Sequence, residues 1–125
     1  MPRPPPRVPN LFDLGSRIHQ KLSFGPKCQG LDNLLGGGVY PCGITEVSGV
    51  AGTGKTQLVM QLLLQAQLPR ELGGLNGKAI YLCCGEGNFP IRRLLDIAEG
   101  FERHYSGSDH SVKGTDMLEN VLIER

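Results

Sequence analysis

The pattern of apolar and polar positions in the middle of the chain predicts a strand, a helix and a second strand. Residues 44–48 are rich in β-branched side chains, which favours a strand. Residues 78–84 are apolar on both faces, as in a parallel strand that helices cover. Between them, three glutamines recur at every fourth position of 57–68 and apolar side chains occupy the other faces, which predicts a mostly buried helix.

The pattern continues downstream with a further helix and a further strand. After Gly87, apolar residues recur at a spacing that lets one helical face pack against a sheet, and Pro90 is acceptable in the first turn of such a helix. Residues 104–114 read as a loop, 117–120 as a turn of helix, and 121–123 as the start of a third strand. The fold class is therefore α/β, with a partial parallel sheet flanked by helices.

The sequence of the first forty residues predicts less regular secondary structure than the rest of the chain. Five of the nine prolines lie in residues 1–10, which predicts a disordered or extended lead. Apolar residues in 11–22 recur at helical spacing, and a shorter apolar repeat in 31–35 precedes three glycines that would end a helix. The domain is thus expected to cover 11–125.

Composition narrows the class of protein. Thirteen Lys and Arg against twelve Asp and Glu give a net charge of +1, which excludes a polybasic nucleic-acid coat. The longest uncharged apolar stretch, residues 58–68, is about half of what a bilayer requires, so no membrane contact is expected. The four cysteines lack the paired spacing of a zinc site and are interpreted as reduced thiols.

Residues 49–56 contain a motif typical of phosphate binding. They match Gly-x-x-x-x-Gly-Lys-Thr, in which glycines let backbone amides turn around phosphates, the lysine reaches the β and γ oxygens, and the hydroxyl ligates Mg²⁺. The alternative is a solvated surface lysine. The predicted nucleotide-binding residues are Gly49, Val50, Ala51, Gly52, Thr53, Gly54, Lys55 and Thr56, with Thr56 also on the metal.

Glu86 is a second candidate. It follows the strand predicted at 78–84, at the end where α/β sheets place ligand chemistry. A carboxylate there can orient or deprotonate the water that attacks a γ phosphate. The alternative is a loop residue between two glycines. Arg92 and Arg93 are interpreted as a solvated helix face, the alternative being a contact with phosphate or DNA.

Several segments, in order, resemble the RecA-type recombinases, and among them the eukaryotic paralogues of homologous-recombination repair. The resemblance covers residues 19–125. It is carried by Gly-Leu-Asp-Asn-Leu-Leu-Gly-Gly-Gly at 30–38, Gly-Ile-Thr-Glu at 43–46, Gly-Lys-Thr-Gln at 54–57, Gly-Gly-Leu-Asn-Gly-Lys-Ala-Ile-Tyr at 73–81, Glu-Gly-Asn-Phe at 86–89 and Leu-Glu-Asn-Val at 118–121.

The resemblance implies a P-loop ATPase core of the RecA type that binds ATP and Mg²⁺. It also implies assembly with other recombinase paralogues on DNA in double-strand-break repair, in the nucleus. Glu86 falls where the family keeps its catalytic glutamate, although this chain has one residue more in 83–85, which could bulge the strand.

The family's second acidic motif and its DNA-contacting loops are expected beyond Arg125, so the chain resembles the N-terminal part of the core and its ATP hydrolysis stays open. Two alternatives remain at this point. One is a truncated, non-catalytic module for nucleotide or partner binding, and the other is a RecA-superfamily regulatory ATPase unrelated to repair.

Overall fold

The structure is a computed structural model that describes residues 20–85 and 87–125. Four α-helices and two β-strands follow one another along it, two helices before each strand, with short 3₁₀ turns at Pro26–Cys28 and Arg70–Leu72. In chain order the elements are α1 (Gln29–Leu34), α2 (Lys55–Gln65), β1 (Ala79–Leu82), α3 (Ile91–Tyr105), α4 (Gly114–Glu119) and β2 (Val121–Glu124). The lead at 1–10 and most of the helix predicted at 11–22 lie outside the described residues. Leu22 itself forms an isolated antiparallel bridge with Val39.

Strands β1 and β2 form a parallel pair, as the sequence predicts. Ala79 is in register with Val121, and Leu82 with Glu124. The pairing extends one residue further, because the Cys83 amide donates to the Glu124 carbonyl at 2.7 Å. Parallel strands need a long crossover connection, and α3 and α4 supply it. The extra residue in 83–85 therefore leaves the β1 pairing intact through Cys83.

The core lies on one face of this sheet. Met60 and Leu64 of α2 are fully buried, as is Ala98 of α3. Each large apolar side chain buried in this way contributes about 1.5–3 kcal/mol. Around them the buried cluster is completed by Leu63, Leu68, Phe89, Leu94, Phe101, Tyr105 and Met117.

Helix α2 is also covered on the later part of its polar side, at Gln61 and Gln65. The Gln61 side-chain amide donates to the Phe24 carbonyl at 2.9 Å, and that of Gln65 donates to the Leu72 carbonyl at 2.8 Å. Gln65 is fully buried. Uncharged amides thus satisfy backbone carbonyls of neighbouring loops, which explains why this stripe carries no charge. The predicted buried helix is confirmed, with an earlier start at Lys55 and an earlier end at Gln65.

A glycine-rich turn closes the carboxyl end of α2. The amides of Leu75 and Gly77 both donate to the Ala66 carbonyl at 3.1 Å, and the Asn76 amide donates to the Leu68 carbonyl at 2.9 Å. These bonds satisfy carbonyls that a helix end leaves without partners. Gly74 lies so close beneath this end that a Cβ there would come within 2.1 Å of the Leu68 oxygen.

The strand predicted at 44–48 is wrong. This segment has no regular secondary structure, and Ile44 is 99% exposed. A strand forms only beside another strand, and in the part of the chain that the structure describes both strands pair with each other. The β-branched composition of 44–48 therefore favours a strand, but no strand in the described residues pairs with this segment.

Two further predictions differ from the structure. The strand at 78–84 was expected to be covered on both faces, yet Ile80 is 63% and Leu82 66% exposed, and Leu122 of β2 is 53% exposed beside them. We call these three residues the bare face. Helix α3 also runs on through Gly100 to Tyr105, so the loop begins at Ser106 rather than at 104.

Replacing Gly74 with alanine should destabilise the fold by about 2–3 kcal/mol, because the new methyl group would overlap the backbone of the helix end. Gly77→Ala is the matched control in the same turn, since its nearest atom is the Leu75 oxygen at 3.9 Å. Urea unfolding followed by circular dichroism measures both changes. Equal midpoints for the two variants would contradict the packing of Gly74.

The bare face should make the isolated chain marginally stable and prone to self-association, because a contiguous exposed apolar surface tends to pack against the apolar surface of another molecule. Leu82→Lys should raise the monomer fraction in sedimentation velocity and keep the helical signal. Tyr81→Lys, one residue away on the covered face, should instead unfold the chain. A wild-type chain that stays monomeric and unfolds cooperatively with the stability of a complete domain would contradict this prediction.

Candidate phosphate-binding site

The glycine-rich loop leads directly into helix α2. Gly52 and Gly54 have φ of 80° and 102°, a left-handed region that residues with a Cβ rarely adopt. Gly54 is the N-cap of α2, so the loop ends by turning its backbone into the first helical residue, Lys55. The glycines at 52 and 54 thus set the path that brings the loop amides to the helix end.

The amino end of α2 offers donors without internal acceptors. The first four amides of any helix lack an intrahelical partner, and the helix dipole adds partial positive charge at the same place. No side chain caps α2. A free amide cluster at this position suits an anion such as phosphate.

The Lys55 side chain folds back over the glycine-rich loop and bonds to two of its carbonyl oxygens. Its ammonium donates to the Gly49 carbonyl at 2.6 Å and to the Val50 carbonyl at 3.0 Å. The Thr53 hydroxyl also donates to the Val50 carbonyl, at 2.7 Å. Two of the three ammonium protons are therefore engaged, and the third can reach a phosphate oxygen beside the loop. The residues present fit a phosphate group.

Thr56 and Gln57 belong to two adjoining surfaces. One is lined by Gly52, Gly54 and Lys55 together with this pair. The other is a groove of about 460 Å³ that runs from the pair to the carboxyl end of β1, where it is lined by Tyr81, Cys83, Cys84, Gly85, Gly87, Asn88, Phe89 and Pro90. The phosphate loop is therefore continuous with the end of the strand.

Two contacts hold the segment after β1 in this groove. Phe89 is buried, and its ring meets that of Tyr81 edge-on with 4.6 Å between centroids. The Arg125 guanidinium donates to the Asn88 side-chain oxygen at 2.7 Å. The far wall of the groove is thus fixed both to the core and to the end of β2.

The fit to Mg²⁺ rests on one protein ligand. Thr56 is exposed in the groove, at the position where a hydroxyl is expected on the metal. Magnesium in nucleotide sites usually takes one or two protein oxygens and completes its shell with phosphate and water. Residues 20–85 and 87–125 contain no group of three His, Cys, Asp or Glu side chains arranged to hold a metal alone.

Glu86 lies outside the described residues, so its role stays a prediction. Its neighbours Gly85 and Gly87 both line the groove that Thr56 enters.

The four cysteines are free thiols. In the described ranges no helix is long and apolar enough to cross a membrane.

One polar contact at the site was not predicted. The Arg93 Nε donates to the Gln57 side-chain oxygen at 2.8 Å, which joins the first turns of α3 and α2. The sequence pattern places Gln57 on the polar stripe of its helix and Arg93 on a solvated helix face. The two residues are 36 positions apart, so no local pattern could have paired them.

A glycine-rich loop that enters an uncapped helix beside a parallel α/β sheet is the arrangement of P-loop proteins. Residues 18–125 match the family model described as Rad51, and the chain belongs to the Rad51 family, which has a RecA-like P-loop fold. The predicted resemblance is confirmed.

Named relatives are similar over much of the chain. It is 50% identical over 79 residues to "DNA repair protein XRCC3" of Mus musculus, which is 63% of this chain and 22% of that protein. It is 42% identical over 88 residues to "DNA repair protein RAD51 homolog 3" of Cricetulus griseus, 70% and 23% of the two chains. It is 48% identical over 75 residues to "DNA repair protein RAD57" of Saccharomyces cerevisiae, 56% and 16%. The matches thus span less than a quarter of these relatives.

Proposed function

We propose that residues 49–56 bind the phosphates of ATP with Mg²⁺, and that the protein acts in homologous-recombination repair of DNA. The observation that carries the first part is the uncapped amino end of α2 with the Lys55 ammonium placed over the loop. A cation and a set of free amides at one point have an anion as their natural ligand.

The roles of the chain's own residues follow from their positions. Backbone amides from Gly49, Val50, Ala51, Gly52, Thr53 and Gly54 surround the phosphates, and Lys55 donates its third ammonium proton to a phosphate oxygen. Thr56 gives its hydroxyl oxygen to the metal. Bound Mg·ATP supplies a phosphoanhydride bond that water can cleave, and Glu86 is proposed to orient or deprotonate that water.

The repair role is supported by the family and by the names of the relatives, which are those of DNA-repair or recombination proteins. They do not favour a regulatory ATPase unrelated to repair. The proposal includes assembly with other recombinase paralogues on DNA, in the nucleus, with 11–125 as the N-terminal part of the ATPase core.

Lys55→Ala should abolish Mg·ATP binding measured by calorimetry, because it removes the ammonium that contacts the loop carbonyls. Lys78→Ala is the matched control, since Lys78 is an exposed lysine that does not line either surface of the site. Circular dichroism confirms that both variants are folded. ATP affinity retained in Lys55→Ala would remove the phosphate-loop assignment.

Glu86→Gln should keep wild-type affinity for Mg·ATP and lower the rate of ATP hydrolysis by about a hundredfold or more, because an amide cannot act as a base. Glu99→Gln, an exposed position on α3, is the control and should leave the rate unchanged. Phosphate release under saturating ATP gives the rates. Equal rates for Glu86→Gln and wild type, or no hydrolysis by either, would reject Glu86 as the base in this chain.

A further inference from the structure

Two adjoining cavities lie between helix α3 and the 3₁₀ turn at Pro26–Cys28. Their volumes are about 210 and 450 Å³, and both are lined by Pro26, His104 and Tyr105. We call their combined surface the α3 trough. One end of it reaches Asp96 in α3, and the other reaches Ser23 and Gly73.

The α3 trough is open above Gly100. This glycine lies inside α3 with a φ outside the left-handed region, and a Cβ there would have no atom within 4 Å. Glycine weakens a helix interior relative to alanine, and neither its backbone nor a close neighbour requires it here. Beside it the smaller cavity is lined by Ile97, Phe101 and Tyr105. Because a cavity of about 150 Å³ holds benzene, this one can accept a large apolar side chain.

The described chain starts beside the other end of the trough. The Gln20 side-chain nitrogen donates to the Arg70 carbonyl at 3.0 Å, and the Arg70 guanidinium donates to the Gln20 side-chain oxygen at 3.1 Å. The Ser23 amide donates to the Gly73 carbonyl at 2.9 Å. Residues 11–18, which lie outside the described residues, therefore join the chain close to the Ser23 end of the trough.

Residues 11–18 are long enough and apolar enough to occupy the trough. From His104 back to Asp96, α3 runs about 12 Å, and eight helical residues span about the same length. The same eight residues in extended form span about 26 Å. The segment contains Leu11, Leu14 and Ile18 at the spacing of one helical face.

The bare face is the competing apolar surface, and it lies on the other side of the sheet. The Phe24 carbonyl accepts from Gln61 of α2, the helix that packs against the covered face. The chain around Ser23 therefore lies on the covered side, where the trough is within reach. The trough also carries side chains of both signs, such as Lys27 and Asp96, and residues 11–18 contain one aspartate and one arginine.

We propose that residues 11–18 dock in the α3 trough of the same molecule, with their apolar side chains over Gly100. The docked segment covers Pro26 and Ile97 and fixes the point at which the proline-rich lead leaves the core. This interaction does not depend on nucleotide, so it goes beyond the proposed function and does not rest on it.

Limited trypsin digestion of the 125-residue chain, followed by mass spectrometry, tests the docking. Trypsin can cut after Arg17 in the segment and after Arg7 in the lead, and a peptide of residues 5–21 gives the intrinsic ratio of the two rates. After this normalisation, cleavage at Arg17 should be about tenfold slower than at Arg7, because a docked segment must be released first. Gly100→Leu, which fills the trough, and Leu14→Ser should both remove the protection. Val8→Ser, an apolar position in the lead, should leave the Arg17 rate unchanged.

A second measurement locates the segment directly. Nuclear Overhauser contacts between the Leu14 methyl groups and the Phe101 ring should appear in the wild-type chain and disappear in Gly100→Leu. Urea unfolding confirms that the compared variants are folded. Absence of these contacts in a wild-type chain that is protected at Arg17 would overturn the proposal.

Three digestion results would also overturn it. Equal normalised rates at the two sites of the wild-type chain would show that the segment is not docked. Protection that persists in Gly100→Leu and disappears in Leu82→Lys would place the segment on the bare face. Protection that increases with chain concentration would place it on a second copy of the chain.

Discussion

The burial of helix α2 is the constraint on which the rest of the structure depends. Met60 and Leu64 are fully buried and pack into the cluster that α3 and the covered face of the sheet complete. With that face fixed, the first turn of α2 must emerge at the carboxyl end of β1. Packing in the core thus determines where the backbone amides of the glycine-rich loop lie.

Polar bonds fix the remaining freedom of this helix. Gln61 and Gln65 tie it to the carbonyls of Phe24 and Leu72, and the Gln57 oxygen accepts from Arg93. At Gln61 and Gln65 an uncharged amide bonds to a carbonyl without burying a charge, and at the exposed Gln57 the amide oxygen accepts from a guanidinium. The same stripe therefore ties α2 to Phe24 and Leu72 along its length and to Arg93 at its first turn.

Local patterns predicted much of this fold. Helices α2 and α3 follow from their apolar periodicity, and β1 and β2 from short apolar runs bounded by turn residues. The phosphate loop follows from eight consecutive residues, in which glycines shape the backbone and Lys55 and Thr56 add an ammonium and a hydroxyl. The strand at 44–48 failed because a strand depends on a neighbour that composition does not specify, and the bare face of Ile80, Leu82 and Leu122 reflects the same limit. The Arg93 contact with Gln57 is tertiary, so it required the structure.

The most direct test of the central claim, that packing of α2 presents its free amides to nucleotide phosphate, is a titration of the ¹⁵N-labelled chain with Mg·ATP followed by amide chemical shifts. The account predicts the largest changes at the amides of residues 50–57, with small changes in the buried part of α3 around Leu94 and Ala98. Changes centred away from the loop, or none at saturating nucleotide, would contradict it.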